Sequence, residues 1–422
     1  MLVRTEDDDR LLRSIDTASQ QLIERAIGWS RINSGSRNLS GLDEQAEQLF
    51  PVLAELPGRV ERIPLPETSE IAADGSERQQ SNGAALRLTV REEAPVQLVL
   101  TGHYDTVYPV DTQFRDIVMR PDGALHGPGI ADMKGGLSVL IGALAAFEAH
   151  PLASRVGYRV LLSPDEETGS IASAPLLAQV AQGAHIGMTY EPALADGTLA
   201  GARKGSGNFH IVVRGRAAHA GRDFTLGRNA IVAAARIATV LAGINGRREG
   251  VTLNVARIEG GSPLNMVPNI AVVRFNIRFP DQAAGEWVRG AIDGALDEGR
   301  GDGLSVVLHG AITRSAKPFN PAQAALFEAV KDVGALIGET IGWRPSGGVC
   351  EGNNLFAAGV PNIDTLGVRG GDIHSENEFA WPESFAERAK LSALLIAKAA
   401  DGTIDAPALR ALMAETPTGK FD

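Results

Sequence analysis

Two histidines and three acids carry the chemistry this sequence is equipped to do: His103, Asp132, Glu167, Glu191 and His374. Imidazole nitrogens and carboxylate oxygens are ligands that zinc accepts, and five exceed what one tetrahedral ion uses. Two ions about 3.5 to 4 Å apart, sharing one carboxylate, would use all five and leave a bridging position for water. In His103-x-Asp105 the two side chains share a face if the strand continues, so Asp105 can orient the imidazole; the plainer reading is a solvated turn acid. Asp132 stands in Gly129-Ile130-Ala131-Asp132-Met133-Lys134-Gly135-Gly136 just before a helix, where spacing alone makes it an N-cap. Glu166 and Glu167 are adjacent acids, costly in a closed site unless cations or a shared proton compensate. A metal resolves the conflict: one carboxylate ligates while the other stays free as a base.

Such groups need elements to hold them. Helical periodicity runs over residues 16–29 and 41–56, and the polar stretch 67–83 predicts an exposed loop. Residues 85–91 and 96–100 are β-rich and separated by Glu92-Glu93-Ala94-Pro95, which predicts a hairpin whose second strand runs into Thr101-Gly102-His103-Tyr104-Asp105. A helix is expected over 134–149. The strand predicted at 158–162 ends at Ser163-Pro164-Asp165-Glu166-Glu167, and that at 185–189 ends at Tyr190-Glu191-Pro192. Each polar cluster follows a strand, where open α/β sheets bind their ligands. From 205 the pattern becomes strand 209–213, helix 229–241, strands 251–258 and 271–279, helix 285–296 and strand 304–308. That order, β-α-β-β-α-β, is the split βαβ arrangement of a small ferredoxin-like α+β domain. We place it as an insertion at 205–312 within a discontinuous α/β domain, 1–204 and 313–422. The outer domain resumes with helix 321–337, a buried strand over 361–368 and a closing helix over 384–400.

Composition narrows the function classes. The 422 residues are 44% hydrophobic and 22% charged, ordinary for a globular chain of about two domains. The apolar run 137–147 is short for a bilayer-spanning helix, so no membrane partner is expected. Forty basic against 51 acidic side chains leave a formal charge of −11, which disfavours nucleic acid as a partner. An acidic N-terminus and a single cysteine, Cys350, suit a cytoplasmic location. P-loop, Rossmann, His-Glu-x-x-His and Cys-x-x-Cys patterns are absent.

Taken in order, Gly102-His103-Tyr104-Asp105-Thr106-Val107, Gly129-Ile130-Ala131-Asp132-Met133-Lys134-Gly135-Gly136, Asp165-Glu166-Glu167-Thr168-Gly169-Ser170, Glu191-Pro192 and His374-Ser375 resemble the dinuclear zinc aminoacylases and glutamate carboxypeptidases. Acetylornithine and succinyl-diaminopimelate deacylases belong to the same group. The resemblance spans roughly 100–380 and implies a zinc-exopeptidase-like α/β/α catalytic domain with an inserted lid and dimerisation domain. It implies two Zn²⁺ per chain, replaceable by Co²⁺ or Mn²⁺, with Asp132 bridging, His103 and Glu191 completing one site, and Glu167 and His374 the other. Glu166 is then the general base and Asp105 the orienter of His103. His219 would reach the partner subunit's site in a homodimer paired through the lid and donate to the oxyanion. Asn265 and Arg278 would hold the free carboxylate of a small-molecule or peptide substrate, a role suited to a guanidinium fork. Arg203, Lys204, Arg214 and Arg216 receive no role. The segment Gly347-Gly348-Val349-Cys350-Glu351-Gly352-Asn353-Asn354 departs from the Ser-Asp-Ala type of many relatives and leaves the bound side chain open.

Two rival readings stand beside this one. Gly348-Val349-Cys350-Glu351-Gly352 has the spacing of a nucleophile elbow, with Asp364 or Asp372 and His374 following in order, yet Pro and Gly interrupt the strand it needs. A binding homologue that lost the reaction would have no use for a free base at Glu166. Within the enzyme reading, the expectation leans to carboxypeptidase action of the glutamate carboxypeptidase type, with deacylation of an N-acyl amino acid as the alternative.

Overall fold

Alternation along the strands decides the layers. In Val96–His103, Leu98 and Leu100 face one apolar cluster while Val99 faces the other, and the same division separates Leu86 and Leu88 from Ala85, and Val160 and Leu162 from Leu161. The larger cluster is closed by helices Glu6–Ser30, Gly136–Glu148 and Glu383–Ala400, the smaller by Ala174–Val180 and Glu351–Ala357. A sheet buried on both faces between helices is the α/β/α sandwich expected from the sequence. The computed structural model describes residues 3–415.

The sandwich holds an eight-stranded sheet in the order Arg59–Pro64, Ala84–Val90, Val156–Ser163, Val96–His103, Ile186–Thr189, Asn362–Asp364, Leu199–Arg203, Trp343–Ser346. Val96–His103 runs parallel to both neighbours, so the ends of these strands open on the same edge. The hairpin expected between residues 85–91 and 96–100 does not form: Val156–Ser163 lies between them, antiparallel to one and parallel to the other. The linking turn passes over the start of that strand, where a Cβ on Gly157 would lie 2.0 Å from the Arg91 carbonyl. Residues 67–83 are not a plain loop either. Thr68–Ile71 and Glu77–Gln80 pair as a ribbon continuing the Arg59–Pro64 and Ala84–Val90 pair.

The first helix starts earlier than expected, at Glu6, because Thr5 and Asp8 form a capping box. The strand expected over 361–368 shortens to Asn362–Asp364, ended by Thr365 at φ 82°. The 19 residues Ile130–Glu148 are long and apolar enough by composition to cross a membrane, yet they carry Asp132 and Lys134 and break at Asp132–Met133 before the helix Gly136–Glu148. The segment is 89% buried inside the protein.

The second unit has its own sheet, ordered Thr252–Gly260, Ile270–Phe279, Gly205–Arg214, Ser305–Arg314 and antiparallel throughout. Helices Ala230–Ala242 and Gln282–Asp297 cover one face, where Ile211, Val213, Val273, Phe275, Ile237 and Val288 make the core. The chain enters and leaves this lid side by side: Arg203 and Lys317 exchange backbone hydrogen bonds of 2.9 Å in both directions. Their side chains share one buried acid, Asp364, at 2.8 Å from Arg203 Nε and 2.7 Å from Lys317 Nζ.

Candidate metal centre

The parallel strands deliver their polar ends to one place. His103 closes Val96–His103, Glu166 and Glu167 follow Val156–Ser163, and Glu191 follows Ile186–Thr189. Asp132 arrives from the turn before Gly136–Glu148, and it is not the N-cap that spacing suggested. Its backbone is extended (φ −116°, ψ 92°), and that helix has no side-chain cap. Lys134 and Glu378 hold the turn instead. Buried Lys134 donates to the carbonyls of Trp29 and Ile32, anchoring the turn to the first helix. The Glu378 carboxylate accepts the N–H groups of Gly129, Ala131 and Asp132 at 2.9–3.0 Å and the Tyr108 hydroxyl at 2.6 Å. These donors favour the ionised carboxylate, while burial works against it and lifts its pKa to about 7.

Asp132 is the middle of the cluster. Its Oδ1 lies 3.2 Å from His103 Nε2 and its Oδ2 lies 3.2 Å from His374 Nε2, so its two oxygens face different imidazoles. Glu191 Oε1 is 3.7 Å from His103 Nε2, and Glu167 Oε2 is 3.2 Å from His374 Nε2. The ligand atoms of His103, Asp132 and Glu191 lie within 4.8 Å of one another, as do those of Asp132, Glu167 and His374. These are two three-ligand sites sharing Asp132, the arrangement of a dinuclear centre. The donors fit zinc, and Glu167 Oε1 is buried without a partner, as a ligand oxygen deprived of its cation would be. Without cations the acids are uncomfortable. Burial lifts Glu166 to about 7 against the pull of Arg314, and lifts Glu167 to about 8, with Asp132 adding to the rise. Burial works against the His103 imidazolium, but Asp105, Asp132 and Glu191 push its pKa well above the ordinary value.

Asp105 is fully buried and more than an orienter of His103. Its backbone carbonyl meets His103 Nδ1 at 3.0 Å, while its carboxylate accepts the N–H groups of Glu166 and Glu167 at 3.1 and 3.2 Å and the Ser36 hydroxyl at 2.6 Å. One acid thus fixes a metal ligand and the turn bearing the two glutamates. Sequence reasoning passed over Arg314, which is 1% exposed at the end of the last lid strand and donates from Nη2 to Glu166 Oε1 at 2.6 Å. It passed over Glu378 as well. The one signal for either was a charged residue beside a strand end.

Arg278 projects from the lid strand Ile270–Phe279, its Nε donating to Asn276 Oδ1 at 3.0 Å and its buried Nη1 without a hydrogen-bond partner. In the lid sheet Ser206 pairs with Arg278 on one side and with Arg314 on the other, so Arg278 stands two strands across from the arginine that holds Glu166. His219 and Asn265 lie elsewhere on the lid. Both are exposed, on neighbouring segments of a small ribbon formed by Ala218–His219 and Met266–Val267, and neither contacts a metal ligand of its own chain. A cleft of about 430 Å³ opens over the metal ligands, walled by Arg203, Arg344, Ser346, Val349 and Thr365. Arg203, given no role from sequence, therefore stands both at the junction with the lid and in the cleft wall. Cys350 is fully buried as the N-cap of Glu351–Ala357, its sulfur accepting the Gly352 N–H at 3.3 Å, and burial pushes its thiol pKa well up. With His374 facing Asp132 and Glu167, the elbow reading has no base to offer this thiol.

The fold and the paired three-ligand sites define a metal-dependent hydrolase with a dinuclear centre. Residues 99–398 match the model of peptidase family M20/M25/M40, and the chain belongs to that family. It is 26% identical over 307 residues to carboxypeptidase G2 of Pseudomonas sp. (strain RS-16), covering 71% of this chain and 73% of that protein. With the succinyl-diaminopimelate desuccinylase of Ralstonia nicotianae it shares 29% identity over 303 residues, 67% of this chain and 76% of the relative. Among solved structures, human carnosine dipeptidase 1 superposes with a TM-score of 0.69 at 16% identity, covering 93% of this chain and all of that one.

Proposed function

We propose that this chain hydrolyses the amide bond of an N-acyl amino acid whose α-carboxylate is free, releasing the amine and the acyl acid. The observation that carries the reading is Arg278. A half-buried guanidinium with an unused Nη1 stands two strands across from Arg314, which holds the base Glu166, and a carboxylate is the natural partner for that fork. His103, Asp132 and Glu191 would hold one zinc ion and Asp132, Glu167 and His374 a second, and the Lewis-acid charge they would supply there polarises an amide and acidifies water. Glu166 takes the proton of the attacking water and returns it to the leaving nitrogen. Asp105 holds the Glu166 turn by its backbone, and Arg314 aims the carboxylate. His219 and Asn265, exposed beside Leu264, Met266, Phe224 and Leu226, complete the site of a second copy in a homodimer.

The sequence alone leaned to the carboxypeptidase branch. Desuccinylases recur among the relatives of similar identity, and their names favour deacylation of a small N-acyl amino acid. The likeness to carboxypeptidase G2 keeps peptide-type substrates as the second reading. A hydrolysis panel of N-acyl amino acids and dipeptides, scored by amine released, separates the two. Faster turnover of N-acyl amino acids is expected, and preference for dipeptides would return the assignment to a carboxypeptidase. Chelation should abolish the activity and zinc restore it. Full activity in metal-free protein would sink the mechanism.

A further inference from the structure

The ribbon Thr68–Ile71 and Glu77–Gln80 is too thin and too polar to stand alone. A two-stranded hairpin is marginal in water, and of its strand side chains only Ile71 is buried. What Ile71 is buried in belongs to the other unit. At 4% exposure it packs with Val212 and Val272, and with Ile270 beside them, on the face of the lid sheet opposite the lid's helices. Two lid arginines reach the ribbon's backbone: Arg274 Nη2 donates to the Ile71 carbonyl and Arg214 Nη2 to the Gly75 carbonyl, each at 2.7 Å. Gly75, at φ 70°, is pressed so close that a Cβ there would lie 2.8 Å from Val212 Cγ1. The ribbon's root is fixed in the catalytic body, since Pro64 pairs with Ala84 in the main sheet and Asn82 Nδ2 donates to the Pro66 carbonyl. Between ribbon and lid lies a cavity of about 270 Å³ lined by Arg37, Glu70, Asp165, His210, Arg274 and Asn276, so the contact is confined to the tip.

Of the lid residues that grip the ribbon, Ile270, Val272 and Arg274 share a strand with the arginine assigned to the substrate, and Val212 and Arg214 lie on the strand paired with it. Arg274, Asn276 and Arg278 alternate onto one face of Ile270–Phe279. Arg274 Nε is also tied to Glu259 at 2.5 Å, and Asn276 joins Arg278 to Asn208 on the next strand at 2.7 Å. Covalently the lid is joined to the body only through the paired crossing at Arg203 and Lys317, beside which Arg314 reaches Glu166, Ser170 and Asn354, and about this narrow junction a rigid sheet can tilt. We propose that the ribbon is a clasp that sets the lid's angle over the metal centre, making Ile71, Arg214 and Arg274 positioning residues for Arg278. The role assigned to Arg278 rests on the function proposed above; the clasp itself does not.

The test measures geometry and kinetics separately. Spin labels on cysteines replacing exposed Glu93 in the body and Glu298 in the lid report the distance between the units in zinc-loaded protein, with labelled chains diluted into unlabelled ones. A narrow distribution is expected for the otherwise unaltered chain, and a broad, displaced one for Ile71→Asp, with Arg214→Ala between them. For a substrate with a free carboxylate, kcat/KM should fall roughly 10- to 100-fold in Ile71→Asp, and for its amide much less. Unchanged distributions in both variants overturn the clasp. If Ile71→Asp does not fold, Arg214→Ala decides alone, because its exposed position costs little core and its side chain donates to the Gly75 carbonyl at the ribbon's tip. Broadening without any hydrolysis in any variant would uphold the clasp and refute the proposed reaction.

Discussion

Glu166 and Glu167 are neighbours in sequence with different partners. Glu167 faces His374 within the ligand set, whereas Glu166 is tied to Arg314 outside it. Glu166→Gln should therefore lose roughly 10²- to 10⁴-fold in kcat and keep its zinc, while Glu167→Gln should lose zinc as well. Metal content measured beside turnover decides, and equal metal loss in both would mean the duties are divided differently. Glu378 makes a second case at this scale. It touches no ligand atom, yet its carboxylate accepts the Asp132 N–H and two more from the same turn. Glu378→Gln would set an amide donor against those donors, so zinc affinity should fall by roughly 10- to 100-fold in a chain that still folds. A zinc titration showing unaltered affinity would reduce Glu378 to a packing residue.

At the scale of elements, the lid strand Ile270–Phe279 carries the testable polarity. Arg278→Ala should cost on the order of 10²-fold in kcat/KM for acids and little for the corresponding amides. Equal losses for both would make Arg278 structural. The strands bearing His103, Glu166 and Glu191 were legible because each apolar run stops at a polar cluster, whereas Asp132 and His374 joined the ligand set through the ordered motifs of the family resemblance. Pairing was not. Residues 85–91 and 96–100 look like a hairpin because the competing partner, Val156–Ser163, comes some 60 residues later and leaves no local mark. Asp132 read as a helix cap for a related reason: the Glu378 that holds its turn follows 246 residues on. Arg314 was hidden in the same way, 148 residues from the glutamate it holds. The clasp ribbon, polar and turn-rich, looked like a loop because its one buried side chain is covered by the other unit.

For the whole molecule, the proposed dimer makes a quantitative forecast. If His219 serves the partner's site, Glu166→Ala and His219→Ala homodimers should each be nearly inactive. Coexpressed at equal levels, about half the dimers are mixed, each with one intact site of two, so activity should return to roughly a quarter of the unaltered enzyme. No recovery from demonstrably mixed dimers would confine His219 to its own chain or remove it from the reaction.

The paired crossing at Arg203 and Lys317 has a historical consequence. Two residues that exchange hydrogen bonds in an antiparallel bridge stand only about 5.5 Å apart at their Cα atoms. A gene encoding the outer sandwich could therefore have acquired everything between them in one insertion event without moving an older strand. By the same geometry, two glycines in a tight hairpin turn in place of the intervening segment would close the gap. In its connectivity the lid is an insert, and the ribbon at residues 68–80 is a further place where the host chain holds it.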